Sequence, residues 1–157
     1  MKYTRVRFLN IVKSLQLTSP SEKVPLKLAP VILLGDDAKR IIAVAIKENF
    51  SLIEGALRGD SLNPHRLLVS ILKKLNIEIV KAVIYSLEES YCAKLFLQTR
   101  VNEKKVEVEA EPCDAIVISI LAKAPIFVEE KTMQEFSIDA SKIPINPQYI
   151  VKNGFTD

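Results

Sequence analysis

His65 is the only histidine in the chain, and imidazole is the side chain that exchanges protons near neutral pH without special surroundings. It suits a general acid or a phosphate contact, although the commoner role for a lone histidine at a helix start is a solvent-facing cap. Asp114 is the strongest carboxylate candidate. It reads either as a general base or a ligand for Mg2+ or Mn2+ at a helix N-terminus, or as a first-turn aspartate that satisfies free N–H groups and favours the helix dipole. A metal at Asp114 needs more carboxylates, and Glu107, Glu109 and Glu111 alternate along the segment before it. The same alternation describes the solvated face of a half-buried strand, or a row that pairs with Arg5 and Arg7 where those strands are neighbours. Arg58, Arg66, Lys73 and Lys74 gather around the His65 segment and suit a phosphate backbone, while lysines so placed also simply keep a helix soluble. A single histidine excludes a two-histidine mechanism within one subunit. A second His65 has to come from a symmetry mate near a two-fold axis.

Other chemistries leave no trace. The four glycines form neither a phosphate-cradling loop nor a dinucleotide fingerprint. No serine sits in a nucleophile elbow. Cys92 and Cys113 lack metal-site spacing and are too few for a disulfide framework, so both read as small core residues in a reducing compartment.

These residues need elements to position them. Residues 3–12 alternate in the period of a strand. Residues 19–25 form a Ser/Pro-bearing loop. Residues 27–34 and 40–46 make a hairpin across Gly35-Asp36-Asp37. Phe50, Ile53 and Leu57 share one face of a helix over residues 47–58, stopped by Gly59-Asp60. Asn63 is the next N-cap, with Pro64 at the first helical position and Leu67, Leu68, Ile71, Leu72 and Leu75 as an apolar stripe. Strands follow at 77–87, 91–100 and 104–111, the last with Val106, Val108 and Ala110 inward and its lysine and glutamates outward. A buried helix over 112–123, a strand over 125–128 and a helix over 129–136 complete the pattern. It predicts an α+β fold, a mixed, mostly antiparallel sheet with helices packed mainly on one face. Residues 1–140 form the domain, and 141–157 form an extended tail bearing Pro144 and Pro147.

A chain of 157 residues, 48% hydrophobic and 26% charged, has enough apolar material for one core. No apolar run approaches the roughly 18 residues of a membrane helix, and the first ten residues lack the apolar core of a signal peptide. A cytoplasmic, soluble protein is expected, and the heavy use of Lys, Glu and Ile leans toward a thermophile. The net charge of +3 is mild, but it is unevenly placed. Residues 1–27 hold six bases against Glu22, and residues 101–140 hold nine acids against four bases. Ends so opposed pair within the fold or between subunits, and with the apolar tail they suggest a homo-oligomer, most simply a dimer.

Several segments resemble the bifunctional nuclease domain family, in order. Pro30-Val31-Ile32-Leu33-Leu34 and residues 41–46 are similar to its first strands. Leu62-Asn63-Pro64-His65-Arg66-Leu67-Leu68 resembles its helix-opening stretch ending in Thr-His-Asp-Leu. Glu111-Pro112-Cys113-Asp114-Ala115-Ile116 resembles its Arg-Pro-Ser-Asp-Ala-Ile, and Ala124-Pro125-Ile126-Phe127-Val128 its Ala-Pro-Ile-Tyr-Val. There are departures. Ile46-Lys47 replaces Ile-Gly, Phe50 falls near an expected Glu, Arg66 stands for the Asp of His-Asp, and Cys113 stands for Ser. The resemblance implies a nuclease that hydrolyses RNA or DNA phosphodiester bonds, with Asp114 and His65 as the retained polar residues. The departures favour an alternative, a non-catalytic homo-oligomeric binding or assembly module of the same fold that has lost the family's acidic residues.

Overall fold

Strand alternation sets in at the start of the chain, and the computed structural model, which describes residues 2–15, 29–60 and 62–142, turns it into β1 (Tyr3–Leu15). The hairpin of β2 (Ala29–Gly35) and β3 (Arg40–Ala45) follows. Helix α1 (Phe50–Arg58) leads into α2 (Pro64–Lys74). A meander of β4 (Ile77–Leu87), β5 (Ser90–Thr99) and β6 (Lys105–Ala110) comes next. Helix α3 (Pro112–Ala122) returns the chain to β7 (Ile126–Glu129), and α4 (Glu130–Phe136) precedes a short β8 (Ile138–Asp139). The eight strands form one sheet in the order β6-β5-β4-β7-β1-β2-β3-β8. Every neighbouring pair is antiparallel except β4 and β7. The α+β expectation therefore holds. The loop at 19–25 and the tail from 143 lie outside the described residues.

The sheet buries one face under the helices. Ile32, Leu34, Ile42, Val44, Ala82, Ile84, Ile126 and Val128 meet Ile53, Leu57, Ile116, Val117 and Met133 in a single core. Fully burying an aliphatic side chain of this size stabilises by about 1.5–3 kcal/mol, so this layer carries the fold. The opposite face holds a smaller cluster of Val12, Val31 and Leu33, backed by Ile41, Ala43 and Ala45, to which no described helix contributes.

Three expectations need correction. Helix α1 begins at Phe50, because Asn49 takes a left-handed backbone conformation (φ 59°) that leaves Lys47 and Glu48 outside the helix. The apolar stripe of α2 is largely uncovered. Leu67 and Leu75 are each 62% exposed and Ile71 45%, while Val69 and Leu72 make the contact with the core. Strand β6 is a sheet edge exposed on both faces, so Val106 and Val108 are not inward in any buried sense. Its glutamates also cannot meet Arg5 and Arg7, since β5, β4 and β7 separate β6 from β1. Glu107 faces Lys94 instead, at 3.8 Å, and Arg7 reaches Asp37 at 2.9 Å.

An ionic network ties the β2–β3 turn to the start of α4. Arg40 donates from Nε to Asp36 Oδ2 at 2.7 Å and forks onto Glu130 at 2.8 and 3.2 Å. Asp36 Oδ1 also accepts from the backbone N–H groups of Ala38 and Arg40, and Thr4 donates its hydroxyl to Glu130. A bidentate Arg–carboxylate pair of this kind fixes orientation as well as charge. Hydrogen bonding to Arg40, then to Thr4, holds the Glu130 carboxyl at about 2, against an ordinary 4.5. A carboxylate with a depressed folded-state value stabilises fully above the ordinary value and loses that contribution as pH falls through the depressed one. Urea midpoints measured from pH 6 downward should therefore fall between about pH 4.5 and 2, and Glu130→Gln should start lower and be flatter across that window. An unchanged slope in the variant would remove Glu130 as the source.

Candidate functional site

Two helix N-termini converge on one point. Asn63 caps α2, its Oδ1 accepting from His65 N–H at 2.9 Å, while its Nδ2 donates to the Leu52 carbonyl of α1 at 2.7 Å. Pro64 occupies the first helical position, where its missing N–H costs nothing. This double anchoring sets the start of α2 against α1 and directs His65 inward. At the start of α3, Glu111 is the cap. Its Oε2 accepts from Cys113 N–H at 2.8 Å and from Asp114 N–H at 3.3 Å. Pro112 again follows the cap.

The result is a hydrogen bond between His65 Nε2 and Asp114 Oδ1 of 2.8 Å, joining residues that are 49 positions apart in the chain. The geometry divides their surroundings. The His65 side chain is 10% exposed and that of Asp114 46%. His65 is thus no solvent-facing cap. Its Nδ1 is buried and meets no hydrogen-bond partner among the described residues. In the neutral ring the Nε2 proton goes to Asp114, and Nδ1 is left as a bare acceptor, a cheaper orphan than a buried N–H. Asp114 is consequently the member open to an incoming group, and His65 positions it.

Asp114 is also relieved of the capping role expected of a first-turn aspartate, because Glu111 has taken it. That role for Glu111 was missed in the sequence, where it read as the outward end of a strand. The signal was the Pro at the position after it, which marks a helix start. The neighbouring Cys113 is buried and donates its thiol to the Ala45 carbonyl at 3.4 Å. Burial first, then the charges of Glu111 and Asp114, push this thiol well above its usual range, while the nearby positive charge of Lys47 opposes them. Cys113 is therefore inert packing, and Lys47 is the cation whose field reaches this corner.

The four proposed phosphate-binding residues fall into two groups. Arg58 pairs with Glu54 one turn back at 2.6 Å. Arg66 directs its guanidinium at the Ala56 carbonyl, at 3.1 and 3.3 Å, and so satisfies the C-terminal end of α1. Lys73 and Lys74 lie in the last turn of α2, about 12 Å or more along the axis from His65 at 1.5 Å per residue. No three His, Cys, Asp or Glu side chains among the described residues gather so as to hold a metal ion. The donors at Asp114 thus do not fit a cation caged by protein, and an Mg2+ or Mn2+ ion there would take most of its shell from water and substrate.

None of the curated proteins matches this chain. The family model of the bifunctional nuclease domain matches residues 31–141, a span that contains α2 and α3 with His65 and Asp114. The chain belongs to the bifunctional nuclease domain family.

Proposed function

We propose that this protein is a nuclease whose reacting group is the Asp114 carboxylate, held in place by His65. The 2.8 Å contact between His65 Nε2 and Asp114 Oδ1 carries the reading. It leaves the second carboxylate oxygen for a water molecule beside a bound phosphodiester. Attack of that water on phosphorus breaks one P–O ester bond and yields a phosphomonoester and a hydroxyl. The water's proton passes to Asp114, and solvent protonates the departing oxygen. Lys47 is the available cation for the phosphate charge. Pairing a buried orienting group with an exposed reacting one is the arrangement general acid–base chemistry requires.

The test is cleavage of single-stranded RNA, single-stranded DNA and duplex DNA with Mg2+, Mn2+ or EDTA. Asp114→Asn, which keeps shape and hydrogen bonding, should lose about 100-fold or more of the rate. His65→Ala should lose activity more than His65→Gln, whose amide can still donate to Asp114. Equal cutting by Asp114→Asn and the parent protein would place the chemistry elsewhere. Absence of cutting by folded protein under every condition would leave the binding-module reading.

One observation favours that second reading, a non-catalytic homodimeric module. Helix α2 shows Leu67, Ile71 and Leu75 to solvent, three residues spaced four apart on one face. An apolar stripe of this kind marks a protein interface when it is not covered. Sedimentation velocity should then give twice the chain mass of 17.6 kDa for the parent and a monomer for Leu67→Glu with Ile71→Glu. A monomeric parent at micromolar concentration removes the dimer.

A further inference from the structure

Two grooves meet at the end of the molecule opposite the His65–Asp114 pair, where α3 finishes and β7 begins. One, of about 400 Å3, lies beside β1 and is edged by Arg5 and Arg7. The other, of about 610 Å3, runs between α2 and β4 and is edged by Lys73 and Arg100, with Glu78 its single acid. Both are lined by Lys123, Ala124 and Pro125, so the two grooves adjoin at this segment and are read together as one path. Arg7 pairs with Asp37, whereas Arg5, Lys73, Arg100 and Lys123 make no ion pair with any described residue. On a chain with 22 bases and 19 acids, four unpaired cations against one acid is a strong local bias.

Lys123 stands at the junction in a conformation that does not suit it. It is the residue after α3, with φ 56° and ψ 35°, the left-handed cap position where glycine carries no steric cost. Six other described non-glycine residues, Lys39 among them, share a positive φ, so the place of Lys123 rests on where its side chain lies and not on its backbone. Here the exposed ammonium is set between the two grooves. The floor of the larger groove is apolar, with Leu72, Ile79 and Leu121.

We infer that this path binds single-stranded nucleic acid, with the phosphates on the cationic rim and unpaired bases against the apolar floor. A duplex turns its bases inward and has nothing to offer that floor. The inference rests on the nuclease reading only for the class of polyanion. Binding in EDTA is measured without cleavage, so either can fail alone.

The experiment is fluorescence anisotropy with a labelled single-stranded deoxythymidine 20-mer and a duplex of the same length, in EDTA, across a salt series. Lys123→Gly and Lys123→Gly with Arg100→Ala are compared with the parent and with Lys131→Ala on α4, which lines neither groove. The parent should prefer the single strand. Each lost phosphate contact should lower the slope of log affinity against log salt by about 0.7, and the double variant should bind at least about 10-fold more weakly, while Lys131→Ala is unchanged. Lys123→Gly keeps the cap geometry and removes the strain, so its Tm should rise as its affinity falls, a combination that damage to the fold cannot produce. The inference is overturned if the parent does not bind, if it prefers the duplex, or if the double variant keeps the parent's affinity and salt slope.

Discussion

An apolar helix without a polar face has to be covered on every side, and α3 is such a helix. From Pro112 to Ser119 every residue but Asp114 is buried. The sheet covers one side of it, at β4 and β5, and α1 and α2 cover the rest. A buried helix of this sort is stable only inside a domain. Its demand for cover explains why two short helices precede the meander and why α2 is pinned to α1 through Asn63 and Leu52. Once α2 is packed across α3 with its start beside the start of α3, His65 meets Asp114 without any sequence-local device.

The same helix organises the sheet. The chain leaves the edge strand β6, crosses under α1 and α2 as α3, and re-enters at the centre as β7, between β4 and β1. Strand β7 is buried on its helix side by Ile126 and Val128, and it is the piece that joins the β1–β2–β3 half to the β4–β5–β6 half. Its parallel pairing with β4 follows from this crossover, because a helix carries the chain back before the strand begins. Helix α4 then closes the corner by placing Glu130 within reach of Arg40 and Thr4. The network acts as a clasp between elements distant in sequence.

The departures from the family pattern acquire structural meanings. Arg66, in place of an aspartate, satisfies the carbonyl end of α1. Cys113, in place of serine, fills a buried site against Ala45. Phe50 is packed against the core. All three thus serve the packing and capping of the helices around His65 and Asp114. The cationic path is separated from this corner by most of the length of α2.

The sequence by itself determined the elements. Periods of two and 3.6, the caps at Asn63 and Gly59, and the prolines at helix starts are local signals, and local signals decide local structure. The burial of α3 was legible for the same reason, because a run such as Ala115-Ile116-Val117-Ile118 has no polar face to expose. What only the tertiary structure decided is which elements are neighbours. The stripe on α2 does not say whether anything covers it, and the alternation of β6 does not say that β6 is an edge. His65 and Asp114 each read as an ordinary helix-start residue, with opposite expectations of exposure for the histidine. Their contact depends on the crossing of α2 over α3, a long-range event that leaves no mark at either position. The grooves around Lys123 depend likewise on separate segments of the chain meeting, and no single segment announces them.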